Sequence, residues 1–278
     1  MASPFDASLA TLLASISEAQ DILGFIRDSF RVQTALQKAI DWQGEQTYEK
    51  RLATEFIKRE LPPLQVIRNG LYVIMVAAFE QFLRETIIVI VNIRVSTAKR
   101  FGDLGDSFIK RHMDYSGRLL SMVHRPPAHL GLNYYDICQR LGTCQQESID
   151  FKVNEVAFSN VKGITELNNF LEHVSDLGVK IQWDDLGRTE RLQGLFHTKR
   201  TCDASKELAS AFVKITEKRN RIAHSGNTVS DVDDGIFLQD AKIIQLTAEV
   251  ITEHFSSKRS GEPKSTSHKR APEKGSLR

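Results

Sequence analysis

The sequence predicts an all-α protein built as a bundle of antiparallel helices. Three observations favour this fold class. Apolar residues recur at helical spacing in several long segments, the most apolar run covers Leu71 to Val91, and glycine or proline separates the periodic segments. Because the connections between the main helices are short, neighbouring helices are expected to run antiparallel.

Eight segments have helical periodicity or recognisable helix ends. They cover about residues 6–30, 49–60, 64–96, 108–123, 133–141, 165–177, 205–225 and 232–255. Asp6 or Ser8 caps the first segment, Thr165 caps the sixth, and Gly178 ends it. The third segment is apolar on almost all faces, so we expect it to be the central helix. Charged residues in its middle, Glu80 and Arg84 among them, make membrane insertion too costly.

The remaining segments are less regular. Residues 145–163 fit either a strand or a loop, and 178–194 resemble a loop. From Ser256 there is no large apolar residue until Leu277, so 256–278 is predicted to be a disordered basic tail. Residues 1–255 are predicted to form a single helical domain, with additional N-terminal helices in 1–60.

Composition excludes several classes of protein. The net charge is +2, but the tail holds seven Lys or Arg residues against two Glu, a local charge of +5. Any nucleic-acid binding must therefore use the tail or a local patch. Three cysteines without a CxxC pair fit neither a disulfide framework nor a zinc site, and they indicate a reducing compartment. The N-terminus has no signal-peptide pattern. We expect a cytoplasmic protein without a membrane partner or cofactor.

The most informative stretch is 217–226, which ends the seventh helix. Four apolar residues of this helix form one buried stripe: Leu208, Phe212, Ile215 and Ile222. Arg219 falls within the same arc, where burial is costly without a partner. Asn220 and His224 share one flank, and Gly226 ends the helix. These residues suit acid–base or phosphate chemistry. They also fit a structural role, in which the Arg219 side chain reaches solvent and His224 interacts with the negative end of the helix dipole.

Arg219-Asn220-Arg221-Ile222-Ala223-His224 resembles the R-x4–6-H motif of HEPN domains. The spacing alone is weak, because Arg118 to His124 and Arg191 to His197 fit it too. Two further blocks strengthen the resemblance. Residues 76–85 are similar to the AFEQFLRE helix of the RiboL-PSP-like HEPN branch. Residues 168–171, together with Leu177-Gly178, are similar to a later helix of the same branch. The resemblance spans about 64–255.

This resemblance implies an up-and-down bundle of about four helices, with 100–163 as a mixed insertion. It implies that Arg219, Asn220 and His224 are catalytic and that Glu80 pairs with Arg219. Arg221 lies outside the defining positions and is either a surface charge or a phosphate contact. HEPN ribonucleases are homodimers with a composite site, and this would supply two histidines where one motif supplies one. Antitoxin or phage-defence partners are also implied.

The predicted function is that of a metal-independent endoribonuclease with an RNA substrate. His224 is the acid or base, Arg219 stabilises phosphate charge, and Asn220 holds the imidazole or contacts phosphate. The alternatives are a non-catalytic HEPN module that binds RNA, nucleotide or a protein partner, and a purely structural helical adaptor. Weaker candidates are a metal site at His124 and His129 or at Asp184 and Asp185 with Glu190. No aromatic platform for stacking bases is evident in the sequence.

Overall fold

A computed structural model describes residues 3–39, 47–59, 61, 63–122, 133–160, 163–225 and 232–259. These residues contain helices and no strand, which confirms the all-α class. In chain order the helices are α1 (Asp6–Ala39), α2 (Tyr48–Lys58), α3 (Leu64–Thr97), a 3-10 turn (Phe101–Leu104), α4 (Asp106–Ser121), α5 (Tyr134–Thr143), α6 (Glu155–Ser159), α7 (Leu167–Asp176), α8 (Trp183–Gly187), α9 (Glu190–Leu195), α10 (Thr201–Ser225) and α11 (Asp234–Arg259).

Several sequence predictions differ from the structure. The described part of 145–163 contains α6 and no strand, so the described part of the segment predicted to be a mixed insertion, 100–163, is helical. Residues 178–194 are not a loop, because they contain α8 and part of α9. A capping box between Gln182 and Asp185 starts α8 within this polar stretch. Glu166, not Thr165, is the N-cap of α7. Residues 256–259 of the predicted disordered tail belong to α11, and the rest of the tail, from 260 onward, lies outside the described residues.

The bundle is organised around α3, which packs against α1, α6, α10 and α11. Phe79 on α3 is buried, and its ring stacks on Phe212 of α10 with centroids 5.2 Å apart. Burial of a phenylalanine side chain of this kind contributes about 2–3 kcal/mol to folding. This contact holds the helix that ends in the 217–226 stretch directly against the central helix.

One stripe of α3 is nevertheless exposed, although the helix is central, as predicted, and apolar on almost all faces. The stripe contains Val66, Gly70, Ile74, Ala77 and Gln81. These residues recur at spacings of four and three, so they lie along one line of the helix. The apolar run in the sequence does not distinguish this solvent-facing stripe from the buried faces because Val, Ile and Ala occur on both.

The N- and C-terminal helices close one side of the bundle. Phe5, immediately before α1, stacks on Phe255 of α11 with ring centroids 5.5 Å apart. Leu12, Ile16 and Leu23 of α1 are buried, and α1 packs on α3 and α11. Among the described helices, α1 alone is long and apolar enough to cross a membrane, a property that signal sequences and core helices share with membrane spans.

The segment from α4 to α6 is held together by aromatic contacts and is joined to the bundle through α6. Phe108 of α4 stacks on Phe158 of α6 with centroids 4.8 Å apart, and both rings are buried. His112 accepts a hydrogen bond at Nε2 from the backbone N–H of Asn154 at 2.9 Å. The Arg84 guanidinium of α3 donates a hydrogen bond to the backbone carbonyl of Ser159, and this contact ties α6 to the central helix.

Candidate functional site

Helix α10 presents the 217–226 stretch in its last turns. Leu208, Phe212, Ile215 and Ile222 are at most 4 % exposed, so the predicted apolar stripe is buried. Arg219 lies in the same arc, but its side chain keeps 34 % of its surface exposed. Its aliphatic stem is therefore packed in the bundle while part of the guanidinium reaches solvent. The helix ends at Ser225, and Gly226 lies outside the described residues.

The Arg219 guanidinium belongs to a cluster of three charged side chains, with Glu80 and Arg84. Glu80 Oε2 lies 4.0 Å from Arg219 Nη2, and Glu80 Oε1 accepts a hydrogen bond from Arg84 Nη2 at 2.7 Å. The sequence predicted an ion pair of Glu80 with Arg219 alone, but the shorter contact of Glu80 is with Arg84. One carboxylate therefore bridges two guanidinium groups. The Nε atom of Arg219 is buried and has no hydrogen-bond partner among the described residues.

Asn220 is held by its neighbour in the chain. Arg219 Nη1 donates a hydrogen bond to Asn220 Oδ1 at 3.1 Å. This contact orients the amide so that its Nδ2 group is the donor left for another molecule. Asn220 and His224 are both exposed on one flank of α10, 40° apart around the helix axis at about 100° per residue. Arg219, Asn220 and His224 thus lie on adjoining parts of one helix end, partly open to solvent.

The sequence indicated no role for Lys218, but this residue connects the same turn of α10 to α11. Its ammonium forms an ion pair with the Asp240 carboxylate of α11, which also accepts a hydrogen bond from Tyr72 Oη at 2.7 Å. Burial, together with the Asp240 charge, raises the pKa of the Tyr72 phenol above its ordinary value, and the nearby Arg221 charge partly opposes this shift. Arg221 is exposed on the α11 side, about 100° around α10 from Asn220.

A groove lies beside Asn220 on the opposite flank from Lys218. Its volume is about 490 Å³, within the usual range for small-molecule sites. Residues from α7, α8 and α10 line it, among them Leu167, Trp183, Phe212, Val213, Glu217 and Asn220. No aromatic side chain for stacking bases was evident in the sequence, but the fold brings Trp183 of α8 to this groove. Only the missed helix α8 places that side chain next to α10.

The other sequence candidates are not assembled into comparable clusters. Arg191 belongs to the second match to the motif spacing. Its guanidinium forms ion pairs with Glu249 and Glu253 at 2.8 and 2.5 Å, and both of these partners are on α11. His197 of that match is exposed and has a positive φ of 52°. His124 and His129 lie outside the described residues, as does the end of the first match.

Two of the acidic residues considered for a metal site, Asp184 and Asp185, have structural partners instead. Asp185 Oδ2 accepts a hydrogen bond from the Gln182 backbone N–H at 2.9 Å, and Asp184 Oδ1 accepts one from Ser205 Oγ at 3.1 Å. Both carboxylates therefore hold α8 in place. In the part of the chain that the structure describes, no group of three His, Cys, Asp or Glu side chains is arranged to hold a metal ion.

Comparison with known proteins gives one match. A family model described as RiboL-PSP-HEPN matches residues 45–257, which is more than half of the 278-residue chain. The matched range includes Glu80, the whole 217–226 stretch and most of α11. No curated protein and no solved structure matches the chain.

Proposed function

The chain belongs to the RiboL-PSP-HEPN family, whose HEPN domains are often ribonucleases, and we propose that it is a metal-independent endoribonuclease with His224, Arg219 and Asn220 at its active site. One observation supports the proposal most strongly. A guanidinium shared between the core and solvent, an amide oriented by it and an exposed imidazole occur together at one helix end. A purely structural helix end does not require that combination.

Arg219 is suited to bind the scissile phosphate. Its side chain is 34 % exposed, and its contact with Glu80 is long at 4.0 Å. A planar guanidinium can donate two parallel hydrogen bonds to phosphate oxygens, and these strengthen as negative charge develops on phosphorus. The Nδ2 group of Asn220 can donate a further hydrogen bond, because Oδ1 is the atom engaged by Arg219. Glu80 and Arg84 keep the Arg219 side chain near this position.

The reaction is transfer of the phosphoryl group to the neighbouring ribose oxygen. A neutral imidazole removes the proton from the 2′-OH, and O2′ bonds to phosphorus while the bond from phosphorus to O5′ breaks. A protonated imidazole donates its proton to O5′. The products are a 2′,3′-cyclic phosphate and a free 5′-OH. Since one protomer contributes one His224, we place the two imidazoles in a homodimer whose motifs meet across a two-fold axis.

RNA cleavage in EDTA by three proteins tests the proposal. The wild type should degrade total RNA, and His224→Ala should lose at least about 100-fold of that activity, because general acid–base catalysis contributes about 10²–10⁴-fold. The matched control is His197→Ala, which removes an exposed histidine from another match to the same spacing. Its activity should equal that of the wild type. Equal activity of all three proteins would contradict the proposed role of His224.

The second candidate function is a non-catalytic module that binds RNA, nucleotide or a protein partner. The exposed His224 favours it, because among the described residues no hydrogen bond fixes its tautomer. In that case the wild type would not cut RNA, yet Arg219→Ala would weaken RNA binding. The cellular part of the proposal is a cytoplasmic enzyme of a toxin–antitoxin or phage-defence system, held in check by a partner.

A further inference from the structure

The groove beside Asn220 has a wall of mixed chemistry. Phe212 forms its buried floor, and Val213 is 56 % exposed along its edge. Trp183 stands on the α8 side, where its indole N–H donates to Asn168 Oδ1 at 3.3 Å. That hydrogen bond restrains the position of the indole ring. An apolar floor with one oriented aromatic ring is the surface on which a flat heterocycle stacks.

The groove is continuous with the proposed catalytic residues. Asn220 belongs both to its lining and to the helix end that carries Arg219 and His224. Along α10 the lining extends from Ala209 to Asn220, about 16 Å at 1.5 Å per residue. An RNA whose phosphate lies at Arg219 therefore has room to place an adjoining nucleotide against this flank of the helix.

The charges in the groove disfavour phosphate and favour a base. Glu166 and Glu217 both line it, and a carboxylate repels a phosphate group. Glu166 Oε2 accepts a hydrogen bond from Asn169 Nδ2 at 3.3 Å, whereas Glu217 is exposed and forms no ion pair or hydrogen bond with the described residues. The Glu217 carboxylate can therefore accept two N–H groups from a ligand.

Among the RNA bases, guanine fits such a carboxylate best. Its N1–H and N2–H donors lie side by side and can bind both oxygens of one carboxylate. Adenine and cytosine each present one amino donor next to a ring nitrogen that accepts hydrogen bonds, which a carboxylate repels. Uracil presents one N–H between two carbonyl oxygens. The stacking surface is available to any base, so discrimination would come from Glu217.

We propose that this groove is a guanine-binding subsite, in which the base stacks on Trp183 and donates two hydrogen bonds to Glu217. The subsite deepens the proposed ribonuclease function and rests on it, because it assigns the nucleotide next to the cleaved bond. Its consequence is a preference for cleavage beside guanosine. Trp183 and Glu217 are then residues that determine specificity, and Asn220 connects the base site to the phosphate site.

Binding of uncleavable RNA tests the subsite separately from cleavage. Hexamers of 2′-O-methyl RNA that carry G, A, C or U at one inner position have no free 2′-OH and cannot form a cyclic phosphate. The chain has two tryptophans, Trp42 and Trp183, so Trp42→Phe leaves Trp183 as the only tryptophan reporter. The G hexamer should quench its fluorescence and bind about 10-fold more tightly than the others, the discrimination expected of a bidentate base contact.

Two pairs of variants locate the site. Glu217→Gln should abolish the preference for G, whereas Glu207→Gln, an exposed glutamate on α10 outside the groove, should keep it. Val213→Trp should fill the groove and weaken binding about 10-fold, measured for this variant and for its control by the anisotropy of a fluorescein-labelled hexamer because each adds a second tryptophan. Leu238→Trp, at a residue of α11 that is 47 % exposed, should leave binding unchanged.

Three outcomes would overturn the subsite. They are equal binding of all four hexamers, an unchanged G preference in Glu217→Gln, and a change of oligomeric state in Val213→Trp, which would identify the groove as an interface between two copies. Failure of the enzyme proposal gives a different result. If the wild type binds the G hexamer but does not cut RNA, the subsite proposal stands and the ribonuclease proposal fails. If it cuts RNA without a preference for G, the ribonuclease proposal stands and the subsite proposal fails.

Discussion

Arg219 shows how the local chemistry of the site depends on one shared carboxylate. Glu80 contacts Arg84 at 2.7 Å and Arg219 at 4.0 Å. Two guanidinium groups this close repel each other unless a negative charge lies between them. Glu80 therefore stabilises a local concentration of positive charge without fully neutralising Arg219. Arg219 retains the capacity to bind a phosphate group.

Replacing Glu80 by Gln should lower activity with little loss of stability. The two arginines would separate, and a displacement of about 1 Å at a phosphate contact costs up to about 100-fold in rate. We expect a 10- to 100-fold lower kcat/KM for RNA, measured at saturating EDTA. Partly exposed ion pairs contribute only about 1 kcal/mol or less, so the unfolding midpoint should move little.

The control for this variant is Glu85→Gln. Glu85 lies on the same helix and accepts a hydrogen bond from Gln81 at 2.9 Å, away from Arg219. It should retain wild-type kcat/KM. Equal activities of the Glu80 and Glu85 variants would mean that the bridging carboxylate does not position Arg219.

Sequence could predict some of these residues and not others. The arc of Leu208, Phe212 and Ile222 is fixed by helical geometry, so the burial near Arg219 follows from spacing alone. The role of Lys218 does not, because its partner Asp240 is 22 residues away on another helix. Trp183 was missed for a similar reason. A polar stretch with glycine resembles a loop until tertiary contacts stabilise its short helices.

At the scale of helices, α4, α6 and α7 enclose two buried histidines. Burial lowers the pKa of His112 to about 4, with a nearby Glu155 charge partly opposing the shift. Burial also lowers the pKa of His173 to about 4, and the Arg111 charge lowers it further. His173 Nδ1 lies 3.4 Å from Tyr115 Oη. Both imidazoles are therefore neutral in the folded protein near pH 7.

Stability should fall as the solution becomes acidic. The unfolded chain binds protons at these histidines below the ordinary pKa of about 6.5, and the folded chain excludes them until about pH 4. The contribution of neutral burial is complete above pH 6.5 and is lost as pH falls toward 4. At pH 5 we expect each histidine to reduce the free energy of unfolding by on the order of 1–2 kcal/mol relative to pH 7.

Urea unfolding of the wild type, His112→Gln and His173→Gln at pH 7 and pH 5 measures this effect. Glutamine does not titrate, so each variant should lose less stability between the two pH values than the wild type does. His197→Ala, which removes an exposed histidine, should retain the wild-type difference. An unchanged pH dependence in both glutamine variants would place the acid sensitivity elsewhere in the chain.

At the scale of the whole molecule, the family and the bundle were predictable because helix periods and the 217–226 stretch are local sequence features. The all-α class and the family are confirmed by the structure and by the match to residues 45–257. The dimer and the catalytic roles remain predictions, since they depend on a second copy of the chain. The exposed stripe on α3 was not predictable from an apolar run that continues around the helix.

Mixing active and inactive protomers tests the composite site. The wild type and His224→Ala would be mixed after denaturation and refolded together at constant total concentration. If every active dimer needs two His224 residues, activity follows the square of the wild-type fraction, so an equal mixture retains about one quarter. If each protomer acts alone, it retains about one half. Refolding of each protein separately before mixing is the control.

The chemical identity of the cleaved ends tests the central claim most directly. A defined RNA oligonucleotide would be incubated with the wild type in EDTA, and the products would be identified by mass spectrometry. We expect a 2′,3′-cyclic phosphate on one fragment and a 5′-OH on the other, both absent with His224→Ala. Fragments that carry a 3′-OH and a 5′-phosphate, or an intact oligonucleotide, would contradict it.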